Sequence, residues 1–189
     1  MIWTVHFHLI IIFSATALSP SIQQTLADLD LVRRSCANAT YPEICLHTLS
    51  AAGANARTPR ELAQSAVGVS LGCARRASGF LAGIKANGKG EEGALRDCLE
   101  QMADSVEDLR KTLSALELLS PGGGGSDFRW RMSNAETWVS GALANEDTCL
   151  DGFKEIDGRV RSDVRRRITN VARVTSNALY LINLLEHSP

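Results

Sequence analysis

The sequence predicts an all-α protein: an antiparallel four-helix bundle preceded by a short N-terminal helical hairpin. Apolar residues recur at steps of three and four along four long stretches, as they do on the buried faces of amphipathic helices. Aromatic residues make up only 5% of the chain, and no segment alternates apolar and polar residues as a half-buried strand would. A length of 189 residues suits one domain with a substantial core.

Composition excludes two broad classes of protein. Hydrophobic residues account for 44% of the chain and the net charge is −1. Disordered chains are poorer in hydrophobic residues, and nucleic-acid-binding domains are usually strongly basic. A globular protein with no nucleic-acid partner is therefore expected.

Residues 1–17 have the features of a secretory signal peptide. No charged side chain precedes Asp28, Leu9–Phe13 is continuously apolar, and Ala15–Ala17 has the small-x-small pattern of a cleavage site. The competing interpretation, a membrane anchor, needs about 20 apolar residues, and this run is much shorter. Cleavage after Ala17 would release a secreted, extracellular protein with no membrane association.

The predicted hairpin covers residues 28–52. A short amphipathic helix ends near Cys36, Pro42 sets the start of a second helix, and Cys45 lies close enough to Cys36 for a local clasp. Asn38, which opens an Asn-Ala-Thr sequon in the connecting turn, is a predicted glycosylation site.

The predicted bundle covers residues 58–187, and its first helix opens with a capping box. Thr58 is the N-cap, Pro59 the first helical residue and Glu61 the third. The inward face is predicted to carry Leu62, Ala66, Val69, Cys73, Ala77, Phe80 and Ile84. Cys73 is then interpreted as a small buried hydrophobic residue rather than a reactive thiol.

The stretch from Glu91 to Leu119 carries a sustained heptad pattern. Its apolar positions are Leu95, Leu99, Met102, Val106, Leu109, Leu113 and Leu116. A two-stranded coiled coil would also show this pattern, but the other helices have apolar faces of similar length, so an intramolecular bundle is favoured. Ser120–Ser126 is predicted to form a flexible connection.

Two more helices complete the predicted bundle. Ser133 and Glu136 form a capping-box pattern, which predicts a helix start at Asn134. Its inward positions include Trp138, Ala142, Cys149 and Phe153, and the last helix is predicted from Asp157 to Glu186. Cys149 on an inward face calls for a sulfur on a neighbouring helix, and Cys98 at the edge of the heptad seam is the candidate. Five cysteines imply disulfides and one leftover thiol, but spacing alone does not fix the pairing.

Motifs that would indicate catalysis or cofactor binding are not supported by their context. Gly68–Gly72 matches the Gly-x-Ser-x-Gly pattern, but it lies within a helix with Ser70 predicted on the polar side, whereas the motif acts at a strand-to-helix turn. Metal-binding patterns are missing, and Gly122–Gly125 lacks the Lys-Ser/Thr of a phosphate loop. Neither an enzymatic activity nor a metal or cofactor is expected.

Charge is unevenly distributed along the chain. Glu100, Asp104 and Glu107 form an acidic stripe, which is either a solvated face or a partner surface. An arginine cluster lies in the last helix, at Arg159, Arg161, Arg165, Arg166 and Arg167. We interpret that cluster as a solvated face rather than a contact with anionic wall polysaccharide.

Three segments resemble the plant invertase/pectin methylesterase inhibitor family. They are the run Thr137–Phe153 with its Asp-Thr-Cys-Leu-Asp-Gly-Phe ending, the Cys36–Cys45 element with Tyr-Pro inside it, and Thr175–Leu179. The resemblance implies a four-helix bundle after a disulfide-clasped hairpin. It also implies the pairs Cys36–Cys45 and Cys98–Cys149, which leaves Cys73 as a free thiol.

The resemblance further implies a non-catalytic protein that inhibits either pectin methylesterase of the plant cell wall or acid invertase by forming a one-to-one complex with the enzyme. Its contact residues would be Glu100, Asp104, Glu107, Thr148 and Asp151. Residues 125–131 lack the Pro-Lys-Phe element of invertase inhibitors, which favours pectin methylesterase. The rival interpretation is a secreted bundle with a ligand-binding or structural role.

Overall fold

The computed structural model describes residues 30–53, 55–119 and 125–186, which form six helices and no strand. The described part opens with α1 at residues 30–36. The other helices are α2 (Pro42–Ala52), α3 (Pro59–Ala82), α4 (Lys89–Glu117), α5 (Ser126–Asp151) and α6 (Arg159–Glu186). The predicted signal peptide and most of the predicted flexible connection lie outside the described residues.

Helices α3 to α6 form an antiparallel four-helix bundle, which confirms the predicted fold class. Each helix packs on the next, and α3 packs on α6 to close the ring. Gln64 near the start of α3 donates a hydrogen bond to the carbonyl of Leu116 at the end of α4 (3.0 Å), so these two helices run in opposite directions. The pairs α4–α5 and α3–α6 therefore occupy opposite faces of the bundle.

The hairpin of α1 and α2 is clasped by a disulfide between Cys36 and Cys45. Helix α2 packs against α3 and α6. The Asn177 side chain in α6 fastens the turn: its Oδ1 accepts from the Tyr41 backbone N–H and its Nδ2 donates to the Tyr41 carbonyl, both at 2.9 Å. Asn177 belongs to the Thr175–Leu179 segment, so that segment has a structural role in docking the hairpin.

Helix α3 confirms the predicted capping box and part of the predicted inward face, since its buried residues include Leu62, Ala66 and Ala77. Thr58 accepts from the Glu61 backbone N–H, and Glu61 accepts from the Thr58 backbone N–H. Ser70, predicted on the polar side, is fully buried, while Cys73 is only half-buried. The burial of Ser70 is tolerated because its hydroxyl donates to the Ala66 carbonyl one turn earlier (3.1 Å).

Helix α5 begins at Ser126, so the prediction of a helix start at Asn134 was wrong. Ser133 is exposed, and its carbonyl accepts from Thr137 Oγ1 within a continuous helix. Met132 is buried and Phe128 packs against the core, which extends the apolar face by two turns beyond the predicted start. Tertiary packing therefore outweighs a local capping signal.

Helix α4 presents alternate positions of its heptad seam to the deepest part of the core. Leu95, Met102, Leu109 and Leu116 are buried, whereas Leu99, Val106 and Leu113 are half-buried and pack at its margin. Cys98, predicted at the edge of the seam, is buried. The centre of the buried face of α4 is thus shifted from the predicted seam toward the side that contacts α5.

Candidate partner-binding surface

The disulfide between Cys98 and Cys149 sets the relative position of α4 and α5. Its two Cα atoms are 4.4 Å apart, and both side chains are buried. Ser105 and Glu146 meet further along the same junction, as do Asp108 and Gly141. Residues close to the disulfide in the sequence therefore lie at the same level on the two helices.

The predicted contact residues fall on the solvent side of this junction. Asp108 faces Gly141, because a Cβ added to that glycine would come within 2.9 Å of Asp108 Oδ2. Asp104 and Glu100 lie about one and two helical turns before Asp108. Because each step of four residues slightly exceeds one turn at 100° per residue, their side chains point progressively further toward solvent. Thr148 follows Gly141 by seven residues, which places it on the matching side of α5. We call this surface, formed by the outward sides of the two helices, the α4/α5 face.

The carboxylates on this face differ in their partners. Glu100 and Asp104 are exposed and make no ion pair or hydrogen bond with the part of the chain that the structure describes. Glu107 accepts two hydrogen bonds from Arg110, at 2.8 and 2.9 Å, and these lower the pKa of its carboxyl group. Asp151 pairs with Lys154 at 2.8 Å. Glu100 and Asp104 are therefore the carboxylates available to an external cation.

Thr148 is exposed, but its hydroxyl is already used. Thr148 Oγ1 donates to the carbonyl of Ala144 at 2.8 Å, which leaves the oxygen lone pairs as acceptors toward solvent. The structure thus brings together the acidic stripe on α4 and the two α5 residues beside Cys149.

The near-neutral net charge conceals a strong separation between opposite faces of the bundle. Helices α4 and α5 together carry thirteen acidic residues and six basic ones. Helices α3 and α6 together carry nine arginines and three acidic residues. Because α4–α5 and α3–α6 are opposite pairs, one side of the bundle is acidic and the other is basic.

Two exposed apolar side chains on the α4/α5 face were not predicted. Trp130 is 62% exposed and Leu118 is 61% exposed. Trp130 precedes Thr148 by eighteen residues, and Leu118 follows Glu100 by the same interval. Eighteen residues make five helical turns, so each apolar residue shares a side with the polar one. The wrong start predicted for α5 hid this relation, because it left Trp130 in a loop.

A buried carboxyl group beneath this face was also not predicted. Glu146 has no solvent exposure, and its Oε1 accepts from Ser105 Oγ (2.8 Å) and Thr175 Oγ1 (3.0 Å), which joins α4, α5 and α6. Its Oε2 is buried with no partner among the described residues. Burial raises the pKa of Glu146 to about 7, although the two hydroxyl donors oppose that rise. The sequence did contain a signal for its burial, because Glu146 precedes the inward-facing Cys149 by three residues on the same helix.

The other predicted sites remain predictions. Asn38 is exposed in the hairpin turn, and Cys73 is half-buried with its Sγ 3.2 Å from Arg76 Nη2. No group of three potential metal ligands occurs within residues 30–53, 55–119 and 125–186. In those same ranges, no helix has an apolar stretch long enough to cross a bilayer.

A clasped hairpin in front of a disulfide-linked four-helix bundle defines a small, covalently braced helical protein with extended outer faces. Residues 30–181 match the family model "Plant invertase/pectin methylesterase inhibitor", and the chain belongs to this family.

Known relatives agree with this assignment. The chain is 46% identical over 165 residues to pectinesterase inhibitor 3 of Arabidopsis thaliana, covering 84% of this chain and 80% of that protein. It is 40% identical over 184 residues to a 21 kDa protein of Daucus carota, covering 93% and 90%. A crystal structure of a mutant pectin methylesterase inhibitor from Arabidopsis has the same fold, with a TM-score of 0.62 at 20% identity, over 84% of this chain and 97% of the other.

Proposed function

We propose that this protein is a secreted, non-catalytic inhibitor of pectin methylesterase that covers the substrate cleft of the enzyme in a one-to-one complex. The observation that carries the proposal is the 46% identity to a pectinesterase inhibitor across most of both chains. Inhibition of acid invertase is less well supported, because the relatives described above include no invertase inhibitor and residues 125–131 contain no Pro-Lys-Phe element.

The α4/α5 face is the proposed contact surface. Glu100 and Asp104 offer two unpaired carboxylates, which suit lysine or arginine side chains of a partner. Glu107 and Asp151 would have to exchange an existing ion pair for an intermolecular one, so their net contribution should be smaller. Thr148 adds an exposed hydrogen-bonding side chain on the α5 side of this surface.

Trp130 and Leu118 extend the same face with apolar area. Tryptophan is one of the residue types enriched among those that contribute most of the binding energy at protein interfaces, where a polar rim surrounds them. The five turns between Glu100 and Leu118 span about 27 Å at 1.5 Å per residue. A face of that length, two helices wide, can provide a standard interface of roughly 800 Å² per partner.

A catalytic role for the Gly-x-Ser-x-Gly segment is opposed by the position of Ser70. That side chain is fully buried in α3 and bonded within its own helix, so it offers no nucleophile to a substrate. An inhibitor needs only a rigid surface, which the disulfide-linked α4–α5 pair supplies.

A paired titration of the oxidised mature chain against a plant pectin methylesterase and an acid invertase tests the proposal. We expect esterase activity to fall linearly to an endpoint at one equivalent, with invertase unaffected and no turnover of pectin by the inhibitor alone. Loss of invertase activity alone would support the alternative target. If neither enzyme responds, the inhibitor assignment fails.

Charge reversal on the α4/α5 face tests the contact surface. Glu100→Lys with Asp104→Lys should weaken esterase inhibition at least about tenfold at low salt, because two attractive contacts become repulsive. The matched control is Glu92→Lys with Glu117→Lys, which makes the same charge change at exposed positions on the α3 side of the same helix. Added salt should weaken the wild-type complex. Equal inhibition by the two double variants would remove the acidic stripe from the interface.

A further inference from the structure

An arginine-lined groove of about 770 Å³ runs between α3 and α6, on the side of the bundle opposite the α4/α5 face. Arg76 contributes from α3, and Arg165, Arg166, Arg167 and Arg173 contribute from α6. Thr169 and Asn170 add neutral hydrogen-bonding groups to the α6 wall. Five cations thus surround one open groove.

The charge of this groove is largely uncompensated. No acidic residue lines it within the described part of the chain. Asp163, which is not part of the lining, accepts from Arg166 at 2.9 Å and lies 3.8 Å from Arg159. The remaining lining arginines have no carboxylate partner there, so an external anion would not need to displace one.

Three of these arginines are held by contacts that leave their charge available. The Arg167 guanidinium lies 3.7 Å from the centroid of the Phe80 ring, and that of Arg173 lies 5.5 Å from the centroid of Tyr41. Arg76 Nη2 lies 3.2 Å from Cys73 Sγ. Contacts with a ring or a neutral thiol orient a guanidinium without neutralising it, which reduces the side-chain entropy that a ligand must overcome.

The arrangement suits an extended polyanion better than a single small anion. Arg165 and Arg173 are eight residues apart, which is about 12 Å along the helix axis. Arg76 faces them from the opposite wall, so cations line both walls of the groove. Guanidinium groups pair geometrically with carboxylates as well as with phosphates.

We infer that this groove binds a polycarboxylate chain, specifically an acidic polysaccharide with free uronate groups, which reverses the interpretation of the arginine cluster as a solvated face. Single-stranded nucleic acid is disfavoured because arginines already cover Phe80 and Tyr41, the rings beside the groove on which bases would stack. The choice of a uronate chain rests on the proposed function, because an esterase acting on a methylated polyuronate releases carboxylates. The inhibitor would then bind the demethylated product on one side and the esterase on the other.

Binding to unesterified polygalacturonate, followed by isothermal titration at 20 to 200 mM salt, tests the inference. We expect the wild-type chain to bind this polymer, to bind a highly methylated polymer of equal length at least tenfold more weakly, and to lose affinity as salt rises. Arg165→Gln with Arg173→Gln should reduce affinity about five- to tenfold at low salt. The control, Arg33→Gln with Arg57→Gln, removes equal charge at exposed positions on the hairpin side and should change affinity less than twofold.

Several results would overturn the inference: no binding at low salt, equal loss in both double variants, or binding of an oligonucleotide or anionic phospholipid vesicles at least as tight as that of polygalacturonate. Esterase inhibition is read in parallel and should be unchanged by Arg165→Gln with Arg173→Gln. Polymer binding without esterase inhibition would support the groove while refuting the proposed function, so the two can fail separately.

Discussion

Replacing Glu146 with glutamine should remove a large part of the pH dependence of folding stability. Glu146 is buried at the junction of three helices, and its pKa rises from an ordinary value of 4.5 to about 7 because burial disfavours the charged form. Between these two values the folded state holds a proton that the unfolded state has released. Stability therefore falls as pH rises through this window, by about 1.4 kcal/mol per unit of pKa difference, or about 3 kcal/mol in total.

The glutamine variant isolates this effect because its amide resembles the protonated acid in shape and carries no charge. Its Oε1 can keep both hydroxyl donors, Ser105 and Thr175. Near pH 4.5 the variant should match the wild type or be slightly less stable, since the added N–H groups meet no acceptor at the position where Oε2 has no partner. Above pH 7 it should be more stable by up to about 3 kcal/mol.

Denaturant unfolding of both proteins at half-unit steps from pH 4 to pH 8 measures the difference directly, and other titrating groups cancel between them. The corresponding change in melting temperature is on the order of 10 °C for a domain of this size. A constant difference across the whole pH range would refute the reasoning. A variant that loses stability relative to the wild type as pH rises would also refute it, since the folded state would then stabilise the charged Glu146 carboxylate instead of disfavouring it.

Two further predictions concern the frame that holds the faces in place. Cys98→Ala with Cys149→Ala removes the disulfide that closes a loop of about 50 residues. The free energy of unfolding, measured with denaturant, should fall by about 4 kcal/mol on the chain-entropy estimate. A loss no larger than the roughly 3 kcal/mol expected for the short hairpin bridge would contradict this prediction. Thr58→Ala removes the side chain that accepts from the Glu61 N–H and should cost about 1 kcal/mol with esterase inhibition unchanged, whereas Thr58→Ser should retain stability.

The sequence was sufficient for the bundle because hydrophobic periodicity reports which side of a long helix is buried. It was insufficient where local signals and packing compete. Ser133 and Glu136 form a valid capping pattern, yet Met132 continues the buried face and the helix passes through them. Ser70 has a polar side chain, but a hydrogen bond from its hydroxyl to a carbonyl of its own helix makes it compatible with the core.

The candidate surface was predictable in part for a related reason. The acidic stripe follows from the spacing within one helix, so Glu100 and Asp104 were found. The contribution of Trp130 depends on where α5 starts, and the arginine groove depends on which helix lies beside α6. Arg167 is oriented by an aromatic ring of α3, and Arg173 by one of the hairpin. Such contacts between distant segments leave no signal in the spacing of either segment alone.

The charge pattern of the bundle is difficult to explain by stability alone. Helices α4 and α5 are neighbours, and both are acidic, so their long-range repulsion opposes the packing between them. A bundle arranged only for stability would alternate the sign of charge between adjacent helices. Here the junction between the two acidic helices carries the Cys98–Cys149 bridge, a covalent bond that resists this repulsion. Any free energy lost to this repulsion along the side where Glu100 and Asp104 face solvent unpaired would be recovered by the cationic partner surface proposed above.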